Sequence, residues 1–340
     1  MNENYRKLLT LFYTTEENNI ELAYLLAKNT NCNKFIHFYR QWQEILNFYH
    51  IYKNPSYCIA TVLNEIEVNG IDFTNLKLNF LPTCFKVTAD ICTKVYLKLN
   101  VFTELPLVLK YLYKLKIINI SANEIVKLPK WLFGLSQLEF LDLNYNPISY
   151  LNASFSKLTN LKTLNIVSSA HKVVLSKKTV LPAQLSRLEI GFLNLKQKKT
   201  AFLEAILNQK QLKQLVLSNI DLKFNINKLV GLVSLENLEI TNCKVENWDI
   251  KIEKWQGLKQ LSLNNCNLQY IPDFVFSISD LEYLDLANNA IETLPATFSI
   301  LKQLKILFLK NNCIDSRSTE YWDSQLRRWQ PNLEVHWGLF

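Results

Sequence analysis

The stretch LEFLDLNYNP, Leu138 to Pro147, decides how the rest of the chain is read. Leu141 and Leu143 alternate with polar residues, so they face one side of a short strand. A near copy, LEYLDLANNA, runs from Leu281 to Ala290. Both fit L-x-x-L-x-L-x-x-N. Sliding that template along the chain places its asparagine position at Leu76, Asn100, Asn123, Asn146, Ser169, Leu193, Ile220, Cys243, Cys266, Asn289 and Asn312. The intervals are 24, 23, 23, 23, 24, 27, 23, 23, 23 and 23 residues. Chance does not keep such a register, so the chain is a structural repeat.

Four coils add L-P or I-P five residues after that position: Leu105-Pro106, Leu128-Pro129, Ile271-Pro272 and Leu294-Pro295. Leu81-Pro82 marks a first, degenerate coil. Over roughly residues 66 to 337 the pattern resembles the leucine-rich-repeat family, in its variant of about 23 residues with L-P on the return segment. The physics agrees with the resemblance. One coil cannot bury its leucine face alone, but stacking neighbours at about 4.8 Å builds a parallel sheet over a continuous leucine core. The expected fold is an α/β solenoid of about ten coils, with a curved parallel sheet on its concave side and helical or irregular segments on its convex side.

The resemblance implies that the asparagine position points inward and pairs with backbone groups of its own turn and of the neighbouring coil. The ladder set is Asn100, Asn123, Asn146, Ser169, Cys243, Cys266, Asn289 and Asn312. Cysteine belongs to the same pattern as a small, buried side chain. Cys243 and Cys266 occupy equivalent positions in adjacent coils, which places their Cα atoms about 5 Å apart, within disulfide range. Two buried free thiols are the plainer reading.

An open solenoid exposes its core at both ends, so caps are expected. Residues 1–66 read as a helical N-terminal cap, 67–315 as the solenoid and 316–340 as a helix-strand cap. Asn33 reads as the cap of a helix carrying Phe35, Phe38, Trp42, Ile45 and Tyr49. Asn54 and Pro55 read as the start of another, with Ile59, Val62, Leu63 and Ile66 on one face. Trp322, Leu326 and Trp329 share a helical face that Pro331 ends, and NLEVHW reads as a closing strand. In the irregular middle, Phe202, Leu203, Ile206 and Leu207 suit a short convex helix.

Composition narrows the function classes. A 49% hydrophobic and 20% charged chain is globular rather than disordered. The N-terminal apolar run is too short for a signal segment, and no run of about 18 apolar residues suggests a membrane span. Seven cysteines, an odd number without any C-x-x-C, argue against a disulfide framework or a zinc site and for a reducing, cytoplasmic setting. No phosphate loop, nucleophile elbow, zinc-protease or calcium-loop motif occurs. The histidines at 37, 50, 171 and 336 have no ligand-like spacing to a cysteine or an acid. No enzyme, cofactor or metal is expected, although a site assembled from distant residues needs no motif.

Function is expected on the outward strand positions. Between the second and third leucines of successive coils stand Tyr96, Asn119, Asp142, Asn165, Glu189, Val216, Glu239, Ser262, Asp285 and Phe308. The column holds four acids and no lysine or arginine, although the formal net charge is +8. Flanking columns add Phe140 and Tyr283, with Lys94, Lys98 and Lys310 towards the ends. Such a face suits a protein or peptide partner carrying some positive charge and suits nucleic-acid phosphates poorly. The same polarity equally describes a strand face that is merely kept soluble. A second reading takes Lys172, Lys177, Lys178, Arg187, Lys196, Lys198 and Lys199 as a convex surface for anions or nucleic acid.

Overall fold

The computed structural model describes residues 3–151, 153–168, 174–175, 180–192, 204–222, 229, 231–245, 248 and 257–338. The chain divides into two compact units, Met1–Pro147 with Lys157–Leu161, and Ile148–Ser156 with Lys162–Phe340.

The first unit opens with four helices: α1 (Glu3–Phe12), α2 (Glu17–Asn29), α3 (Asn33–Tyr52) and α4 (Ile59–Val68). Phe35, Trp42, Ile45 and Tyr49 of α3 are buried, as are Ile59, Val62, Leu63 and Ile66 of α4. The helix starts depart from the sequence reading. Asn33 is the first helical residue of α3 and makes no cap; the N-cap position is Cys32, which has no side-chain cap bond. Asn54 instead closes a local turn by accepting the Ser56 N–H at 2.8 Å, and α4 begins only after Cys58. Asparagine favours both caps and turns, so its presence does not choose between them.

Aromatic packing joins these helices to the first coil. Phe48 lies 5.0 Å from Phe73 and 5.7 Å from Phe85 between ring centroids, and Tyr49 lies 4.9 Å from Phe73. Strands β1 (Ile71–Asp72), β2 (Lys94–Tyr96), β3 (Ile117–Asn119) and β4 (Phe140–Asp142) then pair in parallel and in chain order. Val95, Ile118 and Leu141 at the strand centres are fully buried while their neighbours are half-buried. Burying each such side chain is worth roughly 1.5–3 kcal/mol.

In the second unit β6 (Thr163–Val167), β8 (Arg187–Gly191), β9 (Gln214–Ser218), β11 (Asn237–Thr241), β13 (Gln260–Ser262), β14 (Tyr283–Asp285), β15 (Ile306–Phe308) and β16 (Glu334–His336) pair in parallel. Two further ladders join β5 (Tyr150–Leu151) to β7 (Val174–Leu175) and β10 (Asp221–Leu222) to β12 (Lys244–Val245). Strands β6, β8, β9 and β11, in the coils whose ladder positions are Ser169, Leu193, Ile220 and Cys243, have five residues, whereas β13 in the Cys266 coil has three, like those of the asparagine coils. Backbone pairing there does part of what the side-chain amide does in other coils. The helix Ser316–Trp329 lies between β15 and β16, capped by Asp315, which accepts the Ser318 N–H at 2.9 Å.

The L-P pairs have a visible job. Pro82, Pro106, Pro129, Pro272 and Pro295 each precede a 3₁₀ turn, and their carbonyls accept from Phe85, Leu109, Leu132, Val275 and Phe298. Proline fixes φ for that start and costs no ladder hydrogen bond. Between β8 and β9 residues 204–207 are helical, with Ile206 buried. Phe202 and Leu203 lie outside the described residues.

Candidate functional site

The ladder side chains are the frame on which the strand face is held. Asn123 donates from Nδ2 to Leu97 O at 2.9 Å and Ile120 O at 3.1 Å, and its Oδ1 accepts from Phe102 N at 3.0 Å. Asn100, Asn146, Asn289 and Asn312 make the same kind of bonds. At Cys243 and Cys266 the thiol takes over the donor role, reaching Leu217 O at 3.4 Å and Ile240 O at 3.2 Å. Both are free thiols. Burial pushes Cys243 up to about 11 and Cys266 up to about 12, so neither is a nucleophile at neutral pH. Ser169 lies outside the described residues; its neighbour Ser168 donates to Ile148 O at 3.0 Å.

One more column, missed in the sequence, sits immediately before the ladder position. Leu99, Ala122, Tyr145, Asn219, Asn242, Asn265, Asn288 and Asn311 all have φ between 53° and 59°. Asparagine tolerates this left-handed conformation, while Leu, Ala and Tyr accept a cost of about 1–2 kcal/mol. The doubled asparagines of this chain are therefore explained by backbone handedness at the first and ladder bonds at the second.

In the first unit the register aligns Tyr96, Asn119 and Asp142, with Lys94, Ile117 and Phe140 beside them. Two of the predicted polar residues are occupied by their own turns. Asn119 Oδ1 accepts the Ser121 N–H at 3.0 Å and its hydroxyl at 2.7 Å, and Asp142 Oδ1 accepts the Asn144 N–H at 3.0 Å. Tyr96 is half-buried rather than exposed.

In the second unit the register aligns Asn165, Glu189, Val216, Glu239, Ser262, Asp285, Phe308 and His336. Beside it run Arg187, Gln214, Asn237, Gln260, Tyr283 and Ile306. Arg187 is thus a strand-face residue and not part of a convex cationic surface; it stands two residues from Glu189, and a period-two reading would have placed it there. Its Nη2 lies 3.2 Å from Glu189 Oε2 and its Nη1 donates to Gln214 Oε1 at 2.7 Å. The six lysines grouped with it in sequence lie outside the described residues.

Phe308 is half-buried in a stack, 5.6 Å from Tyr283 and 4.2 Å from the nearly parallel His336 ring. Asp285 is fully engaged: Oδ1 accepts the Ala287 N–H at 2.9 Å, and Oδ2 accepts Ser262 Oγ at 3.2 Å and Asn264 Nδ2 at 2.9 Å. Burial raises Glu239 above its ordinary 4.5; Arg187 partly opposes that, and Glu189 adds to it. Asn237, Glu239, Gln260, Ser262, Tyr283 and Asp285 line a hollow of about 190 Å³. Among the described residues no cluster of His, Cys, Asp and Glu could hold a metal ion, and no helix is long and apolar enough to cross a membrane.

The leucine rich repeat family model matches residues 93–148, 113–170 and 256–314. Among solved structures the chain is similar to an internalin of Listeria monocytogenes, at 18% identity over 88% of this chain and 89% of that one, with a TM-score of 0.58. A leucine-rich-repeat protein of Leptospira interrogans is similar at 22% identity over 77% and 76%, with a TM-score of 0.51. The ectodomain of the Arabidopsis receptor kinase HAESA, solved with a peptide hormone ligand, is similar at 20% identity over 72% of this chain and 43% of that one, with a TM-score of 0.54. At these identities the likeness is one of fold. A search of curated proteins finds no match.

Proposed function

We propose that this chain, a leucine-rich-repeat protein, is a non-enzymatic scaffold that binds a protein or peptide on the outward, concave face of its strands. One observation carries the reading. The strand face of the second unit sets a half-buried carboxylate, Glu239, in one hollow with Tyr283, whose ring begins an aromatic row running through Phe308 to His336. A sheet kept only soluble has no need of half-buried aromatics on its polar side, whereas recognition surfaces use them as anchors. HAESA was solved with a peptide hormone ligand, and its similarity in fold supports this reading by analogy. The partner is a polypeptide with some positive charge, and nucleic-acid phosphates suit this face poorly because acids dominate it. Seven free thiols fit a reducing, cytoplasmic setting.

The test is site-directed photo-crosslinking. A crosslinking amino acid in place of Tyr283 should trap a discrete polypeptide partner. The same probe in place of Ile300, exposed on a 3₁₀ turn, should not. Trapping at Ile300 alone would remove the strand-face claim. Capture that collapses steeply with added salt and needs the lysines between residues 172 and 199 would favour an anion-binding surface instead.

A further inference from the structure

We propose that the hollow between β11, β13 and β14 seats the guanidinium of an arginine from a bound polypeptide. The inference rests on the strand face being the recognition surface. It comes from an inventory of donors and acceptors.

The hollow holds one buried acceptor that its own side chains do not satisfy. Asn237 spends an Nδ2 hydrogen on Gln260 Oε1 at 2.8 Å, and its Oδ1 is buried with no hydrogen-bond partner. A buried acceptor without a donor costs about 1–3 kcal/mol, so such an atom calls for explanation. Two strands of the hollow also bring carboxylates, Glu239 and Asp285, into one row of the same face, with Ser262 between them. Asp285 has its oxygens committed to Ala287, Ser262 and Asn264. Glu239 draws only on the Asn237 amide, and burial holds its carboxyl above the usual range.

The nearest cation of the face cannot fill the gap. Arg187 lies two strands away and is held by Glu189 and Gln214. Its guanidinium shows in this molecule the pairing the hollow lacks: a planar cation giving one N–H to a carboxylate and another to a side-chain amide oxygen. In the hollow, Glu239 and Asn237 Oδ1 offer that same combination. A volume of about 190 Å³ is enough for the head of one side chain. Tyr283 forms one wall and stacks towards Phe308, which gives an entering guanidinium an aromatic surface and leaves an apolar step for the next ligand residue. An ammonium would satisfy the charge but not the paired planar acceptors.

The experiment uses N-acetyl-arginine amide as probe on the full chain, with N-acetyl-citrulline amide as the neutral isostere. Side-chain amide resonances of Asn237 and Gln260 should shift with the arginine compound and stay still with citrulline. Glu239→Gln, which keeps the shape, should weaken binding ~10-fold. Affinity should rise with pH as Glu239 ionises and be flat in the variant. Equal shifts from citrulline, or an unchanged affinity in Glu239→Gln, would overturn the cation seat. That outcome leaves the wider reading standing if crosslinking at Tyr283 still traps a partner, so the two failures are separable.

Discussion

Asn289 Oδ1 accepts the backbone N–H of Cys266 at 2.9 Å and of Leu268 at 3.1 Å. The ladder asparagine of one coil thus closes the turn of the coil before it. Its Nδ2 meanwhile serves Leu263 O at 2.9 Å, Leu286 O at 2.9 Å and Ala287 O at 3.2 Å. Asn289→Ala leaves three of these backbone groups, Cys266 N, Leu268 N and Leu263 O, without that partner, while Leu286 O keeps the Asn312 amide and Ala287 O keeps the Asn265 N–H. The expected loss is roughly 3 kcal/mol, since each buried group left unpaired costs about 1–3 kcal/mol and water recovers part of the sum. Denaturant titration measures it. Cys266→Ala, which removes only weak sulfur bonds, should shift the midpoint less, and equal shifts would contradict the division of labour described above.

Thiol labelling tests the ladder from the other side. Cys313 is exposed, while Cys84, Cys92, Cys243 and Cys266 are buried. Burial pushes Cys84, Cys92 and Cys243 up to about 11 and Cys266 to about 12. Only the thiolate reacts, so at pH 8 alkylation should go first to Cys313 and reach these four only on unfolding. Mass spectrometry of the unreduced protein should show no link between Cys243 and Cys266.

Glu239 should make stability depend on pH in a direction opposite to that of a paired acid. Its folded-state carboxyl titrates above the ordinary 4.5, so the folded chain holds the proton longer than the unfolded one. Stability therefore falls as pH rises from 4.5 through the raised value. Glu239→Gln should remove that decline and raise the melting temperature at pH 7, with little change below pH 4. A melting temperature lowered at pH 7 would mean that the carboxylate is paired in the folded protein.

The passage from the last cap helix to the first strand depends on Gly70. Its φ is +87°, and a Cβ there would stand 2.3 Å from Lys94 O. Gly70→Ala should cost on the order of 1–3 kcal/mol through strain and displacement of β2. Gly134→Ala, with open space around it, serves as the control. Circular dichroism melts of the two variants should separate clearly.

What the sequence by itself determined was the repeat: its period, the buried strand leucines, the ladder position and the proline-led turns. Each coil meets the same neighbours, so one set of contacts is written again every 23 residues and periodicity reveals it. The strand face was legible only as a column of residue types. Its chemistry was decided by tertiary structure, because the partners lie both within a turn and a coil apart and which of them meet depends on side-chain reach. Asp142 and Asp285 look like free acids in the sequence yet accept from their own turns. Arg187 looks like one of a basic group yet pairs with Glu189 on its own strand and with Gln214 on the next. Phe308 looks exposed yet lies between Tyr283 and His336. A repeat specifies which positions face outward; only the packed neighbours decide which of them still lack a partner, and Asn237 and Glu239 owe their place in the proposed site to that lack.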